Sequence, residues 1–396
     1  MIEIKYYLLV FLMCLMPFLF KNRYANYEAI PIKNNNPING VRGILASLVM
    51  FSHAFKDFYI YIGNPWVFDK DYFDLVGFGN QATNTGKIGV AIFFMISGYL
   101  FYKLLDGTTF NLKKFIKNRF LRIFPLYAFV VSFCIVVGLI TTNQAFDWGL
   151  FVGIAKWYAF FGSYDVLNIT AMTKGVEWTL KLEILLYASI PILFYLFRKI
   201  ENKAIRHLLI LGSIFSIFIA GFLLRIYGKV YIDPRAALCF YVGYIALEVK
   251  GLCSFQTFLQ TKTATTLAIL FFLSSFFISS HNIFYLYLIA SCGFLFLCLS
   301  SENNIFGLLD IEPLQKLGEI SYSIYLVHGC VLYGFMQFIK YYSIQNHLIL
   351  VLLLFAFFYV TYTISTFTFI HVEQRFLNFN FAKKQIKNRD ASIVEK

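Results

Sequence analysis

Charged residues are scarce in this chain: Asp, Glu, Lys and Arg make up 14% of 396 residues, against 59% hydrophobic. A soluble globular protein carries about a quarter charged residues, so that class is excluded. The seven cysteines (Cys14, Cys134, Cys239, Cys253, Cys292, Cys298, Cys330) fall mostly inside apolar runs and form no CxxC. Neither a disulfide framework nor a zinc site is signalled, and no metal is expected. The formal net charge is +13, but the lysines and arginines sit in loops that alternate along the chain, the pattern of membrane orientation rather than of a nucleic-acid partner. No inverted repeat of the kind common in transporters is present. Nor does a small-residue cleavage pattern follow the first apolar run, Tyr6 to Phe20, which reads as an extra N-terminal helix and not a removable signal.

What is there is a succession of apolar runs of about 20 residues. After the polar linker Asn34 to Gly40, expected spans cover Gly40 to Ile62, Ile88 to Leu105, Phe120 to Ile140, Trp178 to Phe197, His207 to Leu224, Ala236 to Val249, Ala264 to Ser280, Ile283 to Ser300, Ile320 to Ile339 and Leu348 to Phe369. With the first run this predicts an all-α, polytopic transmembrane bundle of about ten to eleven spans. Phe146 to Phe161, interrupted by Gly149, Gly153 and Lys156, reads as re-entrant or interfacial. The loops rich in Lys and Arg (Lys21 and Arg23, Lys113 to Arg122, Arg198 to Arg206, Arg375 to Arg389) would be cytoplasmic by the positive-inside rule. That puts the C-terminus in the cytoplasm, Arg42 at the cytoplasmic end of its span and His53 toward the outer side.

Ionisable groups inside hydrocarbon are rare and mark pathways or reacting sites. Arg42 and His53 share one helix, and eleven steps of about 100° return to the same face about 16 Å farther along. Arg119 and Arg122, at i and i+3 in a loop that also carries Lys113 and Lys117, share a face and could grip a phosphate; a plain topogenic cluster is the alternative. Glu183, about five residues into a span, needs a partner. It either pairs with Lys181 or Arg42 as a packing device or handles a proton. Ser321, Tyr325 and His328 lie on one helix face, with helix packing the better expectation for His328. Ser97 and Gly98 read as close helix packing, and Glu373 is expected to pair with Arg375 or the basic tail. His207, His281, His347 and His371 fall at span ends.

Taken in order, Arg42-x10-His53, Phe93-Phe-x-Ile-Ser-Gly98, Arg119-x-x-Arg122-Ile-x-Pro125, Trp178-Thr-Leu-x-x-Glu183-x-x-x-Tyr187, Leu317-Gly-x-Ile-Ser-Tyr-Ser-x-Tyr-Leu-x-His328 and Val372-Glu373 resemble the membrane acyltransferase family 3. The resemblance covers about residues 38 to 380, leaving 1–37 as an added hydrophobic segment with its linker and 381–396 as a basic cytoplasmic tail. Thr179 stands where Ser is commoner, and no hydrolase-like domain is expected after the membrane domain.

The resemblance implies a bacterial inner-membrane enzyme that transfers an acyl group, acetyl in the first instance, from acetyl-CoA to a hydroxyl of an extracytoplasmic glycan. The acceptor would be a lipopolysaccharide O-antigen, capsule, exopolysaccharide or lipid-linked sugar. Arg42, Arg119, Arg122, Lys113 and Lys117 would then hold the anionic donor. His53 and Glu183 would carry the chemistry, and Ser321, Tyr325 and His328 would face the acceptor. Burial favours the neutral, proton-accepting form of an imidazole. His53 would act either as general base or by first taking the acyl group itself. A multi-span transporter or flippase is the competing reading, and a glycan polymerase the third.

Overall fold

The computed structural model describes residues 27–33, 35–61, 78–161, 167–227, 232–277 and 284–377. The Tyr6 to Phe20 run and the tail after residue 380 lie outside them, as does His281. Every regular element among the described residues is helical. Helix α1 (Pro37–Tyr61) is followed by α2 (Phe78–Tyr102), α3 (Leu112–Thr142), the short α4 (Trp148–Tyr158) and α5 (Ile169–Thr173), then α6 (Trp178–Phe197) and α7 (Lys203–Ile226). The second half comprises α8 (Leu238–Val249), α9 (Cys253–Leu259), α10 (Lys262–Ser274), α11 (Phe284–Ser300), α12 (Glu312–Glu319), α13 (Ser321–Tyr341) and α14 (His347–Thr368).

Among the described residues seven helices are long and apolar enough to cross a membrane, or eight if the Pro234–Val249 and Cys253–Leu259 pair, bent by 116°, is one broken span. Lys262–Ser274 and Tyr285–Ser300 are apolar but shorter. The expected all-α membrane bundle is therefore present, while the count of ten to eleven exceeds the spans that meet this length. Of the expected spans beyond that count, Tyr6 to Phe20 lies outside the described residues, Ala236 to Val249 belongs to the bent pair, and Ala264 to Ser280 and Ile283 to Ser300 correspond to helices of 13 and 17 residues among the described residues. Helix α4, 11 residues long with Phe146 and Trp148 largely exposed beside it, is too short to cross.

Close helix contact depends on small residues, because apolar surface gains nothing by leaving lipid for protein and packing must come from near approach. Gly98 of α2 and Gly243 of α8 show this. A Cβ on Gly98 would fall 2.3 Å from the Phe240 carbonyl oxygen, and one on Gly243 2.4 Å from that of Met95. Polar contacts then fix register. Asn39 Nδ2 on α1 donates to Gln315 Oε1 (2.9 Å) and to its carbonyl (3.0 Å) on α12, and Ser47 meets Tyr362 Oη of α14 at 2.8 Å. Helix α3 has 31 residues, about 46 Å, which exceeds a hydrocarbon core of about 30 Å. Its first turns, capped by Asn111 Oδ1 on the Lys114 amide (2.9 Å), accordingly carry exposed lysines before the apolar stretch begins. The result is a core built on α1, α2, α6, α8, α11, α13 and α14, to which α7, its apolar window only 22% buried, contributes one face through Ile210, Ile214 and Ile217.

Candidate functional site

Helices α1, α2, α3, α6 and α13 converge on a cavity of about 280 Å³. Arg42, Arg119, Arg122, Glu183, Ser321 and Tyr325, all singled out from sequence, line it together with Ser97, Tyr187 and Tyr322. Arg42 lies within electrostatic reach of Arg122, Glu373, Glu319 and Glu183. Glu183 accepts hydrogen bonds from Ser97 Oγ (3.1 Å) and Tyr187 Oη (2.5 Å). It therefore belongs with the arginines, not beside His53. Ser97, which sequence reading treated as a packing residue, gives Glu183 one of its donors.

The two loop arginines differ. Arg122 pairs with Glu373, whose other oxygen accepts from Ser323 Oγ at 3.0 Å, and its guanidinium lies 5.5 Å from the centre of the Tyr322 ring. This corrects the expectation that Glu373 pairs with Arg375 or the tail: a charge buried to 1% exposure takes the cation that the bundle brings to it, not the nearest in sequence. Arg119 lies 5.0 Å from the centre of the Phe101 ring, and its Nε is buried with no hydrogen-bond partner. An orphaned guanidinium donor on a cavity wall fits an anionic or carbonyl-bearing ligand, since leaving such a donor unpaired costs about 1–3 kcal/mol. Lys113 and Lys117 are exposed on the first turns of α3 and do not line the cavity.

About three turns along α1 from Arg42, His53 faces His328 of α13, with ring centroids 5.4 Å apart and planes inclined by 33°. His328 is fully buried. Its Nδ1 lies 3.1 Å from the Ile324 carbonyl, which can only accept, so Nδ1 bears the proton and Nε2 is the free base; Nε2 is buried and has no partner. Tyr325 borders both regions. It lines the basic cavity, its ring centroid is 6.2 Å from that of His328, and its hydroxyl lies 3.0 Å from Thr179 Oγ1 and 3.2 Å from the Val176 carbonyl.

At the end of the site away from Arg42 lies the turn between α5 and α6. Lys174 (φ 57°) and Gly175 (φ 66°) both adopt left-handed conformations, unusual for a lysine. Lys174 reaches Asp57, one turn beyond His53, and its charge acts on both imidazoles. The turn comes this near because position 329 is glycine: a Cβ there would lie 2.7 Å from the Met172 carbonyl oxygen and 2.8 Å from that of Thr173. Nothing in local sequence marked Lys174 as part of the site. Among the described residues no group of three or more His, Cys, Asp or Glu side chains could hold a metal.

Comparisons with known proteins agree with the family resemblance. A family model described as an acyltransferase domain, Acyl_transf_3, matches residues 35–366. Nodulation protein 10 of Rhizobium leguminosarum bv. viciae is 28% identical over 185 residues, an alignment covering 42% of this chain and 46% of that protein, so the chain spans less than half the length of this relative. No solved structure matches.

Proposed function

Since the chain belongs to the acyltransferase family Acyl_transf_3, we propose that this membrane acyltransferase moves an acyl group, acetyl in the first instance, from cytoplasmic acyl-CoA to a hydroxyl of an extracytoplasmic glycan. The observation that carries the reading is the placement of a basic cavity and an imidazole pair, with His328 fully buried and His53 half-buried, on the two sides of Tyr325.

The cavity, at about 280 Å³, lies at the small end of ligand sites, which run from about 300 to 1,000 Å³. It suits the slender pantetheine arm of the donor and excludes the nucleotide. The nucleotide phosphates would rest at the mouth, where Lys113 and Lys117 are exposed and where charge attracts without ordering a single pose. Arg119, with its unpaired Nε, would hold the entering arm through charge-assisted hydrogen bonds. Arg122, already paired with Glu373, shapes the wall. Glu183, fixed by Ser97 and Tyr187, keeps Arg42 and Arg119 from facing one another without a counter-charge.

A sugar hydroxyl is a weak nucleophile near neutral pH, and a base positioned within hydrogen-bond reach accelerates its attack by about 10²–10⁴-fold. His53 is the reacting imidazole in this scheme. The test is acetyl transfer from labelled acetyl-CoA to the glycans of the producing cell. The wild type labels them, and His53→Ala, inserted at the same level, does not. Equal labelling by the two proteins removes His53 from the chemistry, and flux of a glycan without CoA release would favour the transporter reading.

A further inference from the structure

We propose that the two imidazoles divide the reaction, with His53 taking the acyl group and His328 Nε2 taking the proton of the acceptor hydroxyl; this rests on the acyltransferase reading above. The starting point is an atom with nothing to do in the resting protein. His328 is fully buried, and its Nε2 has no hydrogen-bond partner. A buried nitrogen left unpaired costs about 1–3 kcal/mol, so its persistence calls for a partner that arrives later. A packing role is served by Nδ1 alone, through the bond to Ile324 of the same helix. That bond fixes the tautomer and leaves the Nε2 lone pair as the basic one, the arrangement of an oriented general base.

Placement then assigns the partners. His53 lies on the helix that carries Arg42 of the donor cavity, about three turns beyond it and outside the cavity lining, so a donor arm that extends from the cavity past Tyr325 carries its thioester toward His53. His328 lies against His53 at 5.4 Å between ring centroids, and Gly329 beside it packs under the Lys174 turn on the far side. A hydroxyl entering from that side can meet Nε2 of His328 while it approaches an acyl group on His53. Had His53 served as the base in a single direct transfer, the second imidazole would have no proton to handle.

The steps balance. In the first, the His53 lone pair attacks the thioester carbon, the C–N bond forms and the C–S bond breaks. The thiolate takes the imidazolium proton, giving CoA thiol and a neutral acyl-imidazole. In the second, the hydroxyl oxygen attacks the acyl carbon as His328 Nε2 takes its proton. The O–C bond forms, the C–N bond breaks, and the departing His53 nitrogen recovers the proton from His328. Lys174, whose charge acts on both rings, is itself paired with Asp57 and so sets the electrostatic field of the pair without taking part in either step.

The experiment uses the full protein in nanodiscs with acetyl-CoA labelled in the acetyl group, first alone and then with membranes of the producing cell as acceptor. Wild type should release a burst of about one CoA per protein and retain a label that hydroxylamine removes. In His328→Asn the amide can still donate to the Ile324 carbonyl but no base remains, so the burst and label should persist while discharge onto the membranes slows about a hundredfold. His53→Gln should show neither burst nor label. Discharge by His328→Asn within twofold of wild type would overturn the assignment. So would wild-type transfer to membranes with no protein-bound label, a measurement that requires no variant and holds even if the Asn protein misfolds. Failure of wild type to release any CoA above the His53→Gln background would instead sink the underlying acyl-CoA reading.

Discussion

The basic cavity and the histidine pair sit about three turns apart on the same helix and solve opposite problems. In the cavity, charge is plentiful and mostly compensated: Arg122 has Glu373, and Glu183 has Ser97 and Tyr187. At the pair, burial is complete for His328, hydrogen bonding is minimal, and Nε2 is left without a partner. A region that must hold an anion repeatedly needs fixed cations on a stable frame. A region that must move a proton needs a lone pair that nothing else occupies. Keeping the two apart along one rigid helix lets each be built without compromising the other.

Removing the imidazole that takes the acyl group should break this contrast most severely. His53→Ala or His53→Gln is expected to lower acyl transfer by about 10³-fold, with donor affinity within twofold of wild type, measured by labelled transfer and by equilibrium binding of acetyl-CoA. On the cavity side, Arg119→Ala combined with Arg122→Ala should raise the KM for acetyl-CoA about tenfold or more while leaving kcat nearly intact, since each charge-assisted bond is worth about 1.5–3 kcal/mol. Arg119→Ala alone should carry most of that rise, because Arg122 is engaged by Glu373. An unchanged KM in the double variant would return both residues to a topogenic role.

Glu373→Gln leaves the Arg122 cation without its counter-charge and should cost about 3 kcal/mol or more, read as a lower midpoint of thermal unfolding in detergent, with a smaller effect on KM than the arginine changes. Gly329→Ala places a Cβ against the Met172 and Thr173 carbonyls. Overpacking of this sort costs about 1–3 kcal/mol, and by shifting Lys174 it should reduce kcat severalfold with little change in KM. The smallest effect is expected for Lys113→Ala and Lys117→Ala. Both are exposed, so donor affinity should change less than about twofold at 0.15 M salt, the difference growing at lower ionic strength.

The same contrast explains what could be read from the chain in one dimension. Helical periodicity and the cost of charge in hydrocarbon single out Arg42, His53, Glu183 and Tyr325 within their apolar runs, and Arg119 and Arg122 stand out by their i, i+3 spacing in a basic loop. The partners were not legible. Arg122 and Glu373 are 251 residues apart and meet because α3 packs near the end of α14. His53 and His328 become a pair only through the packing of α1 on α13. Lys174 sits in a turn whose left-handed backbone depends on the tertiary fit under Gly329. Span counting suffered from a related limit, since apolar composition marks what tolerates lipid and not where a helix stops.

The most direct test of the account is labelled acetyl-CoA supplied to the cytoplasmic face of sealed inside-out vesicles that contain wild type or His53→Ala. After washing, the acyl content of glycan in the lumen is measured. The account predicts lumenal, acid-stable acetyl esters with wild type and none above background with His53→Ala. Equal lumenal acetylation by the two proteins would contradict it.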